Sequence, residues 1–358
     1  MGIRGKHSVR TVAAIMLLWW MCVGVLRAQR VTWRVAGTTE GLWNISQGKT
    51  GWCNLLEAEL GVGLWNNGAL EVAAISTYNL NTPVADDLQA FSCIDAGADK
   101  AFRLTQAGIS HDFGGRLLLF GGLRNIDMDH FTTPFTALFT NASHGNFPIL
   151  SANFPLATYP LSALCLHAEL RLWRGFVLRE SVYNGVASDR LDRQFRFCPQ
   201  SDGLFNIGSL SYHLGDEEHH HGHYTLGYAL GTSPNEEQQD RLTYNYALWA
   251  LVEQPFVHFG NHHFSAMLQG GASPATRSAC RGYAGVGVIF EQYGDKAWKA
   301  GAVVNRALYA YGRETDVELT GSYSPCSFLT LQPAVHFITT TGHYTTAAQL
   351  RLIVEFGN

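Results

Sequence analysis

The chain has 358 residues and a formal net charge of −4 at pH 7. A balance this close to neutral lacks the basic stripe that nucleic-acid binding requires. Charged residues make up only 15%, against about 25% in soluble domains, while 37 glycines and 12% aromatics suit a β protein with one face in lipid.

In chain order, the first segment is not fold. Lys6 and Arg10 precede the apolar run TVAAIMLLWWMCVGVL, and RAQ follows it. This is the layout of a secretory signal cleaved near Ala28, and the run is shorter than the roughly 20 residues a spanning helix needs. The expected organisation is a signal over 1–28 and one outer-membrane barrel domain over 29–358, with an uncleaved anchor as the alternative. No later segment approaches a spanning helix, so export ends either in a soluble protein or in a closed outer-membrane barrel. Six cysteines follow the signal: Cys53, Cys93, Cys165, Cys198, Cys280 and Cys326. They show no CxxC and no zinc spacing, and their pairing stays open.

Strands are counted from Gly51. The FGG turn (Phe113 to Gly115) leads to GGLRNIDMDHF (Gly121 to Phe131), and the one long connection between strong strands then runs from Asp127 to Tyr159. Loops this long are usually functional or disordered, and disordered ones are poor in aromatics. This one contains FTTPFTALFTNASHGNFPILSANFP. It is expected to fold inward and narrow the lumen, with Phe139, Phe147 and Phe154 offering ring faces to the C–H surfaces of a passing solute; an outer cap on the rim is the alternative. Arg124, Asp127 and Asp129 flank it, and Glu169, Arg171 and Arg179 lie on the polar side of the next hairpin. Opposed charges suit the passage of a hydroxyl-bearing solute, because hydroxyls donate to carboxylates and accept from the guanidinium fork. The competing reading is ordinary solvated wall charge. Glu180 falls on the apolar side, where a charge is costly at mid-bilayer, and should therefore lie near an interface, or the strand register slips there.

Alternation defines the remaining ribbons, since successive strand side chains face opposite sides. CLHAELRL sets Leu166, Ala168, Leu170 and Leu172 against His167, Glu169 and Arg171. The WRG turn (Trp173 to Gly175) follows it. DEEHHHGH (Asp216 to His223) reads as a solvated hairpin tip without fixed ligand geometry, with metal binding as the alternative. YTLGYALG sets Tyr224, Leu226, Tyr228 and Leu230 against Thr225, Gly227, Ala229 and Gly231. AWKAGAVVN, DVELTGSY, LTLQPAVHF and AQLRLIVEF repeat the pattern, with Ile353 the exception in the last. These ribbons are about 9–11 residues long and carry aromatics near the ends of the apolar face, as a tilted bilayer-crossing strand does. The fold class expected is all-β: a transmembrane antiparallel β-barrel of sixteen strands, fourteen being the alternative, with an inward-folded constriction loop and an aqueous lumen.

Four blocks in order carry a family resemblance: FPILSANFPLATYPLSAL (Phe147 to Leu164), ESVYNGVA (Glu180 to Ala187), NYALWALVEQPFV (Asn245 to Val257) and ELTGSYSPCSFLTLQPAVHFITTTG (Glu318 to Gly342). They resemble the carbohydrate-selective porins of the OprB type, over roughly Trp43 to Phe356. The resemblance implies a sixteen-stranded, water-filled outer-membrane barrel of a Gram-negative bacterium. It also implies facilitated diffusion of small carbohydrates with some ion leakage, contact with outer-membrane lipid, and no cofactor. Monomer and weak oligomer both remain open. Members often carry a GQxxxDxxF-like run where this chain has GGLRNIDMDHF; outer-membrane barrels commonly finish on an aromatic, and here Gly357 and Asn358 follow Phe356. No GxSxG, HExxH or Gly-rich phosphate loop is present. The competing functions are a barrel enzyme such as a lipid hydrolase, and an exported glycan-binding β protein.

Overall fold

The structure is a computed structural model that describes residues 30–131, 133–215, 220–235, 241–260, 262–292 and 298–358. The expected signal over 1–28 lies outside the described residues, as do Asp216 to His219 of the His-rich run.

The described residues form one closed antiparallel barrel of sixteen strands in sequence order. They are β1 (Val31–Asn44), β2 (Lys49–Trp65), β3 (Gly68–Leu80), β4 (Lys100–Phe113), β5 (Leu117–Arg124), β6 (Ala163–Arg171), β7 (Phe176–Asn184) and β8 (Leu204–Gly215). The second half is β9 (His220–Pro234), β10 (Leu242–Phe259), β11 (His262–Ala272), β12 (Cys280–Gln292), β13 (Trp298–Tyr309), β14 (Gly312–Cys326), β15 (Leu329–Thr340) and β16 (His343–Gly357). Closure comes from β1 pairing with β16, with Thr39 opposite Leu352 and Trp43 opposite Ala348. A closed ring leaves no sheet edge unpaired, which is the only way strands can cross hydrocarbon. The count of sixteen agrees with expectation, but β1 lies before Gly51, where the count from sequence began.

Alternation puts the apolar side outward. Leu166, Leu226 and Leu248 are 70%, 68% and 62% exposed, and an apolar surface of this extent in water would drive aggregation. Trp43, Trp52, Tyr78, Tyr244, Tyr246 and Tyr344 ring one end, and Trp33, Trp65, Phe113, Trp173, Phe328 and Phe356 ring the other. Two aromatic girdles around an apolar band match a bilayer. Glu180 keeps its outward register in mid-strand rather than moving to an interface. Its carboxylate accepts hydrogen bonds from the Asn206 amide and, at 2.9 Å, from the Tyr228 hydroxyl.

Three long connections leave the rim opposite the chain ends: 81–99, 125–162 and 185–203. The first two turn into the barrel. The second carries α1 (Asp127–His130), two short 3-10 turns and α2 (Pro148–Ser151). The third carries α3 (Leu191–Gln194) and α4 (Pro199–Asp202) over the rim, and Gln194 ties it to Ser162 at 2.9 Å.

The inward loops explain why lumen positions are often apolar. Phe131, Phe147, Ile149, Leu150, Phe154 and Leu156 pack on Phe205, Ile207, Trp249, Leu251 and Tyr283 of the wall. Val84, Ala85, Phe91 and Ile94 of the first loop pack on Leu42, Leu55, Ile75 and Ile338. Each such fully buried side chain contributes about 1.5–3 kcal/mol. Gly301 makes room for the turn at Leu138: a Cβ there would sit 2.8 Å from Leu138 Cδ2. The lumen is narrowed by more than the one loop expected. Two loops, not one, form a packed core inside the loop-bearing half of the barrel.

The six cysteines after residue 30 are all free thiols.

Substituting Leu319, which is exposed on the outer face of β14, with Arg should cost about 2–4 kcal/mol if it lies near mid-bilayer. Urea titration of the barrel refolded in lipid vesicles measures this. A loss below about 0.5 kcal/mol would place Leu319 away from hydrocarbon.

Candidate functional site

The interior is organised by wall carboxylates that accept bonds from loop main-chain N–H groups. Glu253 of β10 accepts from Phe135 N and Thr136 N, both at 3.1 Å, and from the Thr133 hydroxyl. Glu318 of β14 accepts from Thr140 N at 2.7 Å, Thr140 Oγ1 at 2.9 Å and Asn141 N at 3.2 Å. Glu314 accepts from Leu88 N and Gln89 N at 2.7 and 2.9 Å, and Glu40 accepts from the Ser92 hydroxyl. Glu40, Glu253, Glu314 and Glu318 have no exposed surface. Charge-assisted bonds of this kind are about twice as strong as neutral ones.

The two loops also bond to each other, through Cys93 N to Thr140 O at 2.8 Å and Ala142 N to Ala90 O at 2.9 Å. His336 of β15 bridges Thr140 Oγ1 and Asp316 at 3.0 Å each, and Gln332 donates to Leu138 O at 2.5 Å. Asp316, Glu318 and His336 offer ligand atoms within 4.8 Å of one another, but Thr140 and Asn141 engage all three, which makes them a latch on the loop tip. On the return leg His144 sits between Gln269 at 3.0 Å and Asn305 at 3.1 Å. Burial pushes its pKa down despite the nearby Glu318 and Asp316 charges, so it acts as a neutral hydrogen-bonding group.

The wall from β1 to β7 is different: below the loops its charges pair with one another and keep partial contact with water. Arg124 grips Asp129 with Nε at 2.7 Å and Nη2 at 2.6 Å, and reaches Glu71 at 3.3 Å. Burial raises the Asp129 pKa, but the Arg124 bonds and charge outweigh it and hold the carboxyl below its ordinary range. Glu169 receives Arg171 Nε at 2.9 Å and Arg179 Nε at 2.8 Å. Further along, Arg34 bonds Glu59 at 2.8 Å and Glu355 at 2.9 Å. His130 lies between Ser181 at 3.0 Å and Ser209 at 3.2 Å. Burial drives its pKa down to about 3, so it too is neutral.

Of the residues singled out from sequence, Arg124 on β5 meets Asp129 of α1, and Glu169, Arg171 and Arg179 form a second group further along the wall. Asp127 turns away from them. It accepts from Thr158 Oγ1 at 2.8 Å and Tyr159 N at 2.7 Å, closing the base of the loop, and burial raises its pKa. Phe139 borders a cavity between the two loops, but at 4% exposure it packs on the wall, against Met267, Ile289 and Val303. Phe147 and Phe154 are corrected: they are buried at 0% and 7% exposure, Phe147 against Trp249 and Tyr283 and Phe154 against Phe205, so their rings hold the loop and do not face a path. Reading from sequence missed the whole 81–99 loop, the anchoring carboxylates, and Arg34, Glu59 and Glu71. The one available signal was acidic residues on strand polar faces, such as Glu318.

The cavity between the loops has a volume of about 430 Å³ and is lined by Gln89, Phe139, Ser143, Asn146, Tyr159 and Arg351 among others. A second cavity of about 320 Å³ lies along the charged wall, with Arg34, Glu59, Glu71 and Gln106. Asp127 lines the first and its neighbour Met128 the second, so α1 separates the two.

The sequence matches the family described as carbohydrate-selective porin, OprB family, over residues 56–353. The chain belongs to that family. It is accordingly a sugar porin of the Gram-negative outer membrane, a channel and not an enzyme. Among curated proteins none matches. Among solved structures, OprB of Pseudomonas putida at high pH aligns with a TM-score of 0.77 at 14% identity, covering 92% of this chain and 94% of that one. An anion-selective porin from Comamonas acidovorans gives 0.60 at 11% identity, with 92% and 99% covered. OmpT of Vibrio cholerae, in trimer form, gives 0.58 at 8% identity, with 92% and 100% covered. Identities this low show a shared porin barrel.

Replacing Glu318 with Ala should leave the amides of Thr140 and Asn141 without their acceptor, a loss of about 1–3 kcal/mol. Hydrogen exchange at those two amides is expected to accelerate about tenfold or more. Unchanged exchange would mean that the loop tip is held by its other contacts alone.

Proposed function

We propose that single sugars cross this porin by a two-part route, first the gap between the inward loops and then the charge-paired wall of β1–β7. The observation that carries this reading is the 430 Å³ cavity left between two loops that are otherwise packed against the wall. That volume is at the small end of ligand-site sizes, so it acts as a filter for size and shape. Beyond it, Arg124 with Asp129 and Glu71, and Glu169 with Arg171 and Arg179, present fixed donors next to fixed acceptors. A sugar hydroxyl both donates and accepts, so it can exchange water partners for wall partners without a large net change. Opposite charges set side by side also leave little net field, which favours neutral solutes over ions of either sign.

Residues 1–28 serve as the export signal in this reading, and 29–358 as the barrel domain. Outer-membrane lipid covers the apolar band.

Liposome swelling tests the route. Glucose should enter faster than an uncharged non-sugar of equal size. A variant in which a short linker replaces the stretch from Phe139 to Phe154 should admit both faster and with less discrimination, once heat-modifiable gel mobility shows that the barrel has formed. Equal rates in the two proteins would remove the constriction role from this loop.

A further inference from the structure

Charge is sorted across the wall from β12 to β14. Among the described residues, the acids of these strands are Glu291, Glu314, Asp316 and Glu318, and all are buried on the inner side. The arginines of the same strands, Arg281, Arg306 and Arg313, are all exposed. Arg306 keeps the phase of Val304 and Leu308, which are 43% and 47% exposed, while Asn305 and Ala307 between them are fully buried. It therefore projects outward. Across the β13–β14 ladder Arg313 is opposite Leu308 and Arg306 is opposite Thr315, which makes the two arginines diagonal neighbours on one face, within reach of long side chains. Arg281 stands at the bulge beside Gly282, which is opposite Leu308 on its other side. None of the three arginines has an ion pair or a side-chain hydrogen bond among the described residues. Like charges set this close repel, and no described acid offsets them.

Their height matters as much as their charge. Arg306 and Arg313 flank the Tyr309–Gly312 hairpin, on the rim that carries the three long connections. In barrels of this class the long loops are extracellular and the short turns periplasmic, so the patch lies at the headgroup level of the outer leaflet. A cation on the lipid face is costly at mid-bilayer but tolerated near an interface, and the arginine stem lets its head rise to the polar layer. Toward mid-bilayer the next row on the same face is Val286, Val304 and Val317, and the row after it contains Val288, Ala302 and Leu319. Tyr311, 70% exposed in the hairpin turn, adds a ring with a polar tip at the boundary.

We propose that Arg306 and Arg313, with Arg281 at their edge, bind the phosphate groups of an outer-leaflet glycolipid whose acyl chains lie along the apolar rows below. A guanidinium fork pairs with phosphate oxygens two at a time, so one phosphate group can accept from both arginines and relieve their repulsion. The Thr315 hydroxyl beside Arg306 is a further donor. A second copy of the chain fits less well. On the outer face of its described strands the one acid is Glu180, which stands in mid-strand and already accepts from Asn206 and Tyr228. A soluble phosphate would meet the charges alone, whereas a lipid phosphate also brings chains to the valine rows.

Native mass spectrometry of the full chain in detergent, titrated with bisphosphorylated lipid A, tests the site, with heat-modifiable mobility showing that each barrel has formed. Arg306→Gln with Arg313→Gln should raise the half-saturating lipid concentration about tenfold, and a value within about twofold of wild type would overturn the site. Arg116→Gln with Arg174→Gln removes the same charge from exposed turns of the opposite rim. That control should bind within about twofold of wild type; a loss equal to that of the first pair would show a general charge effect and overturn the location. Lipid A stripped of its phosphates should bind wild type as weakly as the intact lipid binds the Arg306 and Arg313 double variant. Equal binding of the two lipids to wild type would overturn phosphate recognition. Inorganic phosphate should leave the bound lipid in place, and its full displacement would assign the patch to a free anion and overturn the lipid. If the double variant yields no folded barrel, Arg313→Gln alone decides: a rise of about threefold supports the proposal, and no rise overturns it.

Discussion

Carboxylates of Glu253, Glu314 and Glu318 stand on the inner wall with no exposed surface, and loop main-chain N–H groups meet each of them. Neither side is stable without the other. An ionised carboxylate removed from water with no partner is among the costliest groups a protein can hold, and loop amides that enter a barrel need acceptors that the strand ladder, already paired strand to strand, does not supply. Placing acids on the polar face of the strands meets both needs. The apolar packing of Phe131, Phe147, Ile149 and Leu150 then adds burial, but it is non-directional and does not by itself choose where the loop tip sits. The acids choose, because each accepts only from a donor in the right place.

The same chemistry divides the lumen into two environments. Where loops cover the wall, acids are bonded to loop main chain or loop side chains and have no exposed surface. Where they do not, acids pair with arginines and stay partly wet, as in Arg34 with Glu59 at 34% and 41% side-chain exposure. The first kind holds the loops and the second stays exposed to the lumen. Arg351 belongs with the scaffold, because it bonds Glu40 at 2.9 Å beneath the first loop. Arg124 stands between the two kinds: it holds Asp129 at the loop's entry and touches Glu71 on the open wall, coupling the position of α1 to the charge pattern of that wall.

Much of the barrel was legible from alternation, because its outer face meets one solvent along every strand. Leu350, Leu352, Val354 and Phe356 face outward and Gln349 and Arg351 inward, as their spacing requires. The wall pairs around Arg124 and Glu169 were legible too, since polar-face residues on neighbouring strands must meet. The inner face was harder, because it meets water in some places and a loop in others. Leu251 and Met267 occupy lumen positions yet are fully buried, and nothing near them in sequence announces the loop that covers them. Phe147 and Phe154 show the same limit: their composition indicates an inward loop, while only tertiary packing says that the rings turn to the wall. The 81–99 loop carries no periodicity, and its anchors Glu40, Glu314 and Arg351 come from both ends of the chain.

That long-range anchoring has a consequence for how the molecule is made. Thr140 is latched by Glu318 and His336, 178 and 196 positions downstream, and Cys93 meets Arg351 258 positions downstream. Contacts at such separations form late, after much chain entropy has been surrendered. The plug can meet β8 and β10 earlier, through Phe205, Trp249 and Glu253. Its last anchors form only when the final hairpins arrive, so the final fastening of the plug coincides with completion of the cylinder.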